Sequence, residues 1–378
     1  MEDVIVFGVD NIAKRLEIEY LLNSDKYRIA AYSDSFHSYK YWGGRPFVPI
    51  EEIGKHECKY IIVACDSLEV YSDIKSNLLK NGVPADKIIR HYFFKFSNRA
   101  MNYYLDELFT QSTLPYEGII LGNSYALRGI NVSCLSKCFC NLGWHGLDMY
   151  YSYKLLKYLK QVVPKKVASI KYVVLAFPYY FFNYDMSASL YQLQTGQIWA
   201  LSHLNDYHNM DKVQEFEKYK RLYLINKELF GKNVNRNSLS AWMGNDHLTF
   251  DSEGGGVKEY RLSHTWSCRH GETIRENITV FHELLEFIRQ QDMKPVILIT
   301  PYHRLFHEKF PSEISETKEE YYEFLIAEKL CKSILVIDKF CCDISYDDKY
   351  WADMTHLNSA GAEIFSMQLE KEFRESYY

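Results

Sequence analysis

The chain opens on a short β-branched apolar run, Val4-Ile5-Val6-Phe7-Gly8, closed by glycine, which predicts a buried strand. From Asn11 to Leu22 the positions Ile12, Leu16, Tyr20 and Leu22 fall at roughly helical spacing. Arg28 to Tyr32 predicts a second strand ending at Asp34, and Tyr60 to Ala64 a third, each followed by a helix. Such alternation predicts a small parallel α/β domain over residues 1–97.

A second alternation starts at Gly118-Ile119-Ile120-Leu121. Further strands are predicted over Lys137–Leu142, Tyr172–Phe177, Val296–Thr300 and Ile334–Asp338. Helices are predicted over Leu147–Val162, Thr273–Gln291, Lys318–Leu330 and Ser359–Phe373. Residues 98–378 therefore read as a second doubly wound parallel sheet, flavodoxin-like in type. The stretch from about residue 180 to 268 breaks the rhythm. It is polar and aromatic, contains Gly254-Gly255-Gly256 and is too long for an ordinary connection, so it reads as a partly helical insertion over the sheet's functional edge.

Composition narrows the function classes. With 44 Lys plus Arg against 49 Asp plus Glu, the net charge of −5 argues against a nucleic-acid binder working through a basic surface. No apolar run approaches the roughly 20 residues that span a bilayer, and Met1-Glu2-Asp3 offers no basic leader, so a soluble protein without a transmembrane segment is expected. The nine cysteines are odd in number and scattered, which fits free thiols in a reducing compartment, and the expected location is cytoplasmic. Cys134, Cys138 and Cys140 invite a metal reading, but Cys138 and Cys140 fall inside a predicted strand and read as buried thiols; no metal site is predicted.

Open α/β sheets bind ligands beyond the carboxyl ends of their strands. In the first domain that place holds Gly8-Val9-Asp10-Asn11-Ile12-Ala13, a degraded G-x-G-x-x-G in which Asp10 adds a Cβ and a negative charge where a pyrophosphate would approach. Gly8 and Asp34 are the candidate cofactor-binding positions there, although an Asp after a strand is more often only a turn residue.

In the second domain the strand ends carry Gly122-Asn123-Ser124, Gly143-Trp144-His145-Gly146, Pro178-Tyr179-Tyr180 and Pro301-Tyr302-His303, with Asp353-Met354-Thr355-His356 in the last loop. A serine hydroxyl becomes a nucleophile when a neutral imidazole takes its proton, and a carboxylate must hold that imidazole in the right tautomer. Ser124, His356 and Asp353 supply these three groups, and amides near Ser124 and at Gly143 supply oxyanion donors. Each block alone also reads as a helix cap; their shared place at strand ends, taken with the block order that the resemblance below supplies, carries the catalytic reading.

At these residues the chain resembles the SGNH, or GDSL-like, hydrolase superfamily of esterases and acyltransferases. Gly122-Asn123-Ser124 matches the nucleophile block, with Asn123 in place of the usual Asp, Gly143 the oxyanion glycine, and Asp353-x-x-His356 the final block. The resemblance runs from about Leu108 to Glu370. It departs where the family places Gly-x-Asn-Asp, for this chain has Ala176-Phe177-Pro178-Tyr179-Tyr180, leaving Asn183 or Tyr179 as the replacement donor or an oxyanion hole of two donors only, with His145 and His303 as further substrate contacts. The first domain, through Gly44-Arg45-Pro46 to Ile53 and the strand at Tyr60, resembles the Rossmann-like N-terminal domains of bacterial sugar-modifying enzymes.

The resemblance implies a serine-dependent ester hydrolase or O-acyltransferase working through an acyl-enzyme on a small-molecule or glycan ester, such as a carbohydrate or surface-glycan precursor. Hydrolysis requires no cofactor, and transfer requires an acyl donor such as acyl-CoA. The alternative is a non-catalytic nucleotide or nucleotide-sugar binding protein on a degenerate hydrolase scaffold.

Overall fold

Strand β1, Glu2–Phe7, buries Val4 to Phe7, and it pairs in parallel with β2, Tyr27–Ser33, on one side. The computed structural model describes residues 1–37, 39–65, 68–90, 109–144, 146–187, 208–209, 221, 225, 228–230, 271–327 and 334–377. Helix α1, Ile12–Leu21, links these two strands. The connection after β2 is not the predicted helix. Gly43, Gly44, Pro46 and Pro49 interrupt it, and the chain forms a small antiparallel hairpin of β3, Tyr41–Trp42, and β4, Arg45–Pro46. Strand β5, Tyr60–Val63, then joins the other side of β1, and helix α2, Leu68–Lys80, leads to the short strand β6, Ile88–Arg90. The sheet order is β2-β1-β5-β6.

The chain divides into two compact units, Met1–Ala100 with Glu215–Ser238, and Met101–Gln214 with Leu239–Tyr378. Part of the expected insertion therefore belongs to the first unit. Residues 225, 229 and 230 carry apolar side chains at helical spacing, and Ile225, Leu229 and Phe230 complete the core formed by Val4, Val6, Ile18 and Tyr27. The Tyr27 hydroxyl donates to Glu228 Oε1 at 2.7 Å, and Asn23 N–H donates to the Leu229 carbonyl at 2.6 Å. Leu229 is fully buried, so Leu229→Ala is expected to lower stability by more than about 2 kcal/mol, read as an earlier urea midpoint by circular dichroism. An unchanged midpoint would mean that this segment does not pack there in solution.

The second unit holds a five-stranded parallel sheet. Its strands are β7, Gly118–Gly122, β8, Phe139–Asn141, β9, Tyr172–Ala176, β10, Lys294–Ile299, and β11, Leu335–Asp338. The order β11-β10-β9-β7-β8 reverses between β7 and β9, which opens a crevice beyond their carboxyl ends. Helix α3, Ser124–Gly129, follows β7 directly, and α4, Met149–Val162, follows β8. Helix α5, Gly271–Gln290, precedes β10; α6, Arg304–Lys309, and α7, Pro311–Ala327, lie between β10 and β11. Helix α8, Ser359–Tyr377, ends the described chain. The core pairs Ile120, Val174, Val296 and Leu298 of the sheet with Trp351, Leu357, Phe365 and Leu369. No helix among the described residues is long and apolar enough to cross a membrane.

Candidate active site

The switch from β7 to α3 turns on Gly122. Its φ is +148°, and a Cβ there would stand 2.5 Å from the Ala176 carbonyl oxygen, so no larger residue lets β9 lie this close. Asn123 caps the helix: its Oδ1 accepts from Tyr125 N–H at 3.0 Å, while its amide donates to the Tyr180 hydroxyl at 2.9 Å. A carboxylate at this place could only accept from the Tyr180 hydroxyl, whereas the amide leaves that hydroxyl hydrogen free for another acceptor. Ser124 is the first helical residue, so its N–H has no acceptor within the helix.

Ser124 Oγ lies 2.9 Å from His356 Nε2, and His356 Nδ1 lies 3.0 Å from each Asp353 carboxylate oxygen. Asp353 Oδ1 also accepts from Thr355 N–H at 2.8 Å, Thr355 Oγ1 at 2.9 Å and His356 N–H at 2.9 Å. Burial opposes ionisation of this carboxyl, but the imidazole and the Thr355 donors outweigh it and hold the pKa far below the usual carboxylate range. The Asp353 carboxylate thus stays charged and keeps the proton of a neutral His356 on Nδ1, leaving the Nε2 lone pair for the serine. The Tyr125 ring, 5.1 Å from the imidazole, covers one side of it.

A rigid frame holds the loop. Trp351 and Leu357 form an antiparallel bridge around it, Ala352 N–H donates to the His356 carbonyl at 2.9 Å, and the Asn358 amide donates to Lys349 O at 2.7 Å. His303 is part of this frame. Fully buried, it donates its backbone N–H to Met354 O at 3.0 Å, accepts Leu305 N–H on Nδ1 at 3.2 Å and places Nε2 3.0 Å from Asp348 Oδ1. Burial lowers its pKa against the pull of Asp348, and both ring nitrogens are engaged, so His303 supports the loop instead of presenting itself to a substrate.

The expected oxyanion donors fare differently. The Gly143 N–H is held by Asn141 Oδ1 at 3.0 Å, and the Asn141 amide in turn donates to the Ala126 carbonyl in α3, at 2.8 Å, and to that of Ile130 just after it, at 3.1 Å. A Cβ on Gly143 would stand 2.8 Å from Ala126 Cβ, so the glycine serves close approach to α3. The Tyr179 hydroxyl donates to Asp338 Oδ2 at 2.6 Å, shared with Tyr322 at 2.7 Å, and burial pushes the phenol far above its ordinary pKa. Asn183 is buried at the end of the 3₁₀ turn Tyr179–Asn183 that replaces the expected Gly-x-Asn-Asp. His145 lies outside the described residues.

In the first unit Asp34 spends its oxygens on the backbone: Oδ2 accepts Val9 N–H at 3.0 Å and Oδ1 accepts Phe36 N–H at 2.9 Å. The Val9 amide is one that a phosphate at this turn would seek, so Asp34 acts as a brace across the ends of β1 and β2. Gly8, with φ +100°, donates its N–H to Ser33 O at 2.9 Å. Thr355, which braces Asp353, has no signal in the sequence beyond its place inside the Asp-x-x-His block, and the bond from Asn123 to Tyr180 has none at all.

Residues 1–89 match the family model described as C2185-like, N-terminal. A search of curated proteins found no match for the chain.

Proposed function

We propose that the protein is a serine-dependent ester hydrolase or O-acyltransferase of the SGNH type, with Ser124 as nucleophile, His356 as general base and acid, and Asp353 as the group that orients His356. One observation carries the reading: the unbroken hydrogen-bonded line from Ser124 Oγ through both His356 nitrogens to Asp353, at 2.9 and 3.0 Å. The order of the parallel sheet supports it, since the line stands beyond the carboxyl ends near the strand reversal.

In this reading Ser124 Oγ attacks the acyl carbonyl as His356 Nε2 takes the hydroxyl proton. The bond to the leaving alcohol breaks as His356 returns that proton to the departing oxygen, leaving acyl-Ser124. Water or an acceptor hydroxyl then attacks the ester, its proton passing through His356 to Ser124. The Ser124 amide supplies one oxyanion donor; the Gly143 amide serves as a second once Asn141 yields it to the developing charge. The substrate class is a small-molecule or glycan ester, and the first unit lends it a carbohydrate leaning through its likeness to domains of sugar-modifying enzymes.

The test is covalent. A fluorophosphonate probe is expected to label the wild-type chain at Ser124, with p-nitrophenyl acetate turnover lost in parallel, and Ser124→Ala is expected to take up no label. Equal labelling of the two proteins would end the proposal.

A further inference from the structure

Away from the Ser124 line, three carboxylates far apart in sequence converge on one imidazole. Asp148 caps α4, Asp185 follows the 3₁₀ turn after β9, Glu276 stands in the second turn of α5, and His208 lies among them. Asp148, Asp185 and His208 are all buried, and their ligand-type atoms lie within 4.8 Å of one another.

The hydrogen bonds fix the state of His208. Asn209 gives its amide hydrogens to Asp185 Oδ2 at 2.8 Å and Glu276 Oε2 at 3.0 Å, while His208 Nε2 lies 2.9 Å from Glu276 Oε1. A carboxylate oxygen cannot donate, so Nε2 carries a hydrogen, and the tautomer this selects has its lone pair on Nδ1. Among the described residues that buried Nδ1 has no hydrogen-bond partner. It faces Asp185 Oδ1 at 3.6 Å, too long for a hydrogen bond. Two ligands held about 2.1 Å from one ion at a tetrahedral angle stand about 3.4 Å apart. The Tyr150 ring, stacked at 4.0 Å and 8° on the imidazole, and the Tyr151 hydroxyl, which accepts His208 N–H at 3.2 Å, fix the direction of the lone pair.

We propose that Asp148, Asp185 and His208 Nδ1 form a site for a borderline divalent metal ion of the Zn²⁺ class, with Glu276 orienting the histidine through Nε2–H. One nitrogen and two carboxylates suit such an ion, and a carboxylate behind a ligating imidazole is the usual outer partner. Backbone donors hold the carboxylates in place: Tyr151 and Met186 N–H on Asp148 at 2.9 and 3.1 Å, and Ser187 N–H on Asp185 at 2.8 Å. Burial, with Asp185 adding to it and His208 opposing, pushes Asp148 up to about 6, a cost that a bound cation reverses. The ion would join chain positions 185 and 208 to the start of α4.

The full-length chain, stripped with chelator and reloaded with Zn²⁺, is expected to retain one equivalent that His208→Ala loses. Because the chain has nine cysteines, Co²⁺ loading gives the sharper reading. The expected spectrum shows visible d–d bands without a thiolate charge-transfer band, and Zn²⁺ displaces it. Glu276→Gln, which keeps the ligands, is expected to weaken binding about 10- to 100-fold and serves if His208→Ala does not fold. The proposal falls if the wild type retains no metal, as it would were the cluster held by a proton alone. It falls equally if the Co²⁺ spectrum is that of thiolates, or if His208→Ala or Glu276→Gln, once folded, binds as the wild type does.

Discussion

Asp353→Asn is expected to lower kcat/KM for ester turnover by about 10⁴ while the chain stays folded and still binds substrate. Asp353 Oδ1 receives three local hydrogen bonds, from Thr355 N–H, Thr355 Oγ1 and His356 N–H. In an asparagine these donors select the carbonyl oxygen for that place, which turns the NH₂ group towards His356 Nδ1. The imidazole then keeps its lone pair on Nδ1 and its hydrogen on Nε2, so it donates to Ser124 and cannot take the serine proton. The loss is one of tautomer and not of packing, because the two side chains have the same shape. Two measurements separate these causes: the thermal midpoint stays near that of the wild type, and fluorophosphonate labelling of Ser124 slows in step with turnover. A variant with turnover within tenfold of the wild type would show that Asp353 does not orient the base. Since the ionised Asp353 is held far below neutral pH, it is not the group that titrates in the activity profile near neutrality.

Much of this arrangement was legible in the amino-acid order, for a physical reason. The strands of both sheets are short apolar runs, those at β1, β2, β7 and β11 closed by Gly or Asp, and chemistry in an open α/β sheet stands where such runs stop, so the pattern placed Ser124 at a strand end, while the block order of the resembled hydrolases joined it to the Asp353 to His356 block. What escaped depends on contacts without a local signature. The Gly143 amide looks available in sequence, yet Asn141, two residues earlier, takes it. His303 looks like a substrate contact until its burial and its bond from the backbone to Met354 are seen. Residues 225 to 230 carry a helical stripe that could cover any apolar face, and nothing in the stripe says that the face is that of the first unit. Asp148, Asp185, His208 and Glu276 share no spacing, and only the fold brings them together.

Trp351→Ala is expected to cost about 3 to 5 kcal/mol and to remove activity under conditions where the variant remains folded. Trp351 is fully buried against the sheet core that includes Ile120, Ala126 and Leu357, its Nε1 donates to Ile344 O at 2.8 Å, and its ring packs edge-on to His303 at 5.5 Å. It also begins the bridge to Leu357 that brackets Asp353 and His356. Truncation opens a cavity beneath that bracket and frees His303, whose backbone holds Met354, so the loop loses its floor and its side support together. Trp351→Phe keeps most of the volume and leaves the Ile344 carbonyl only the longer bond from Asp347 N–H at 3.4 Å, a loss of about 1 kcal/mol, and is expected to retain substantial turnover. Urea unfolding followed by circular dichroism reads the first quantity, and turnover at a temperature well below both midpoints reads the second. If Trp351→Ala were to unfold at the wild-type midpoint, the ring would not be a foundation of the unit. If it lost stability yet kept full turnover, the His356 loop would owe its geometry to the Asp353 turn alone.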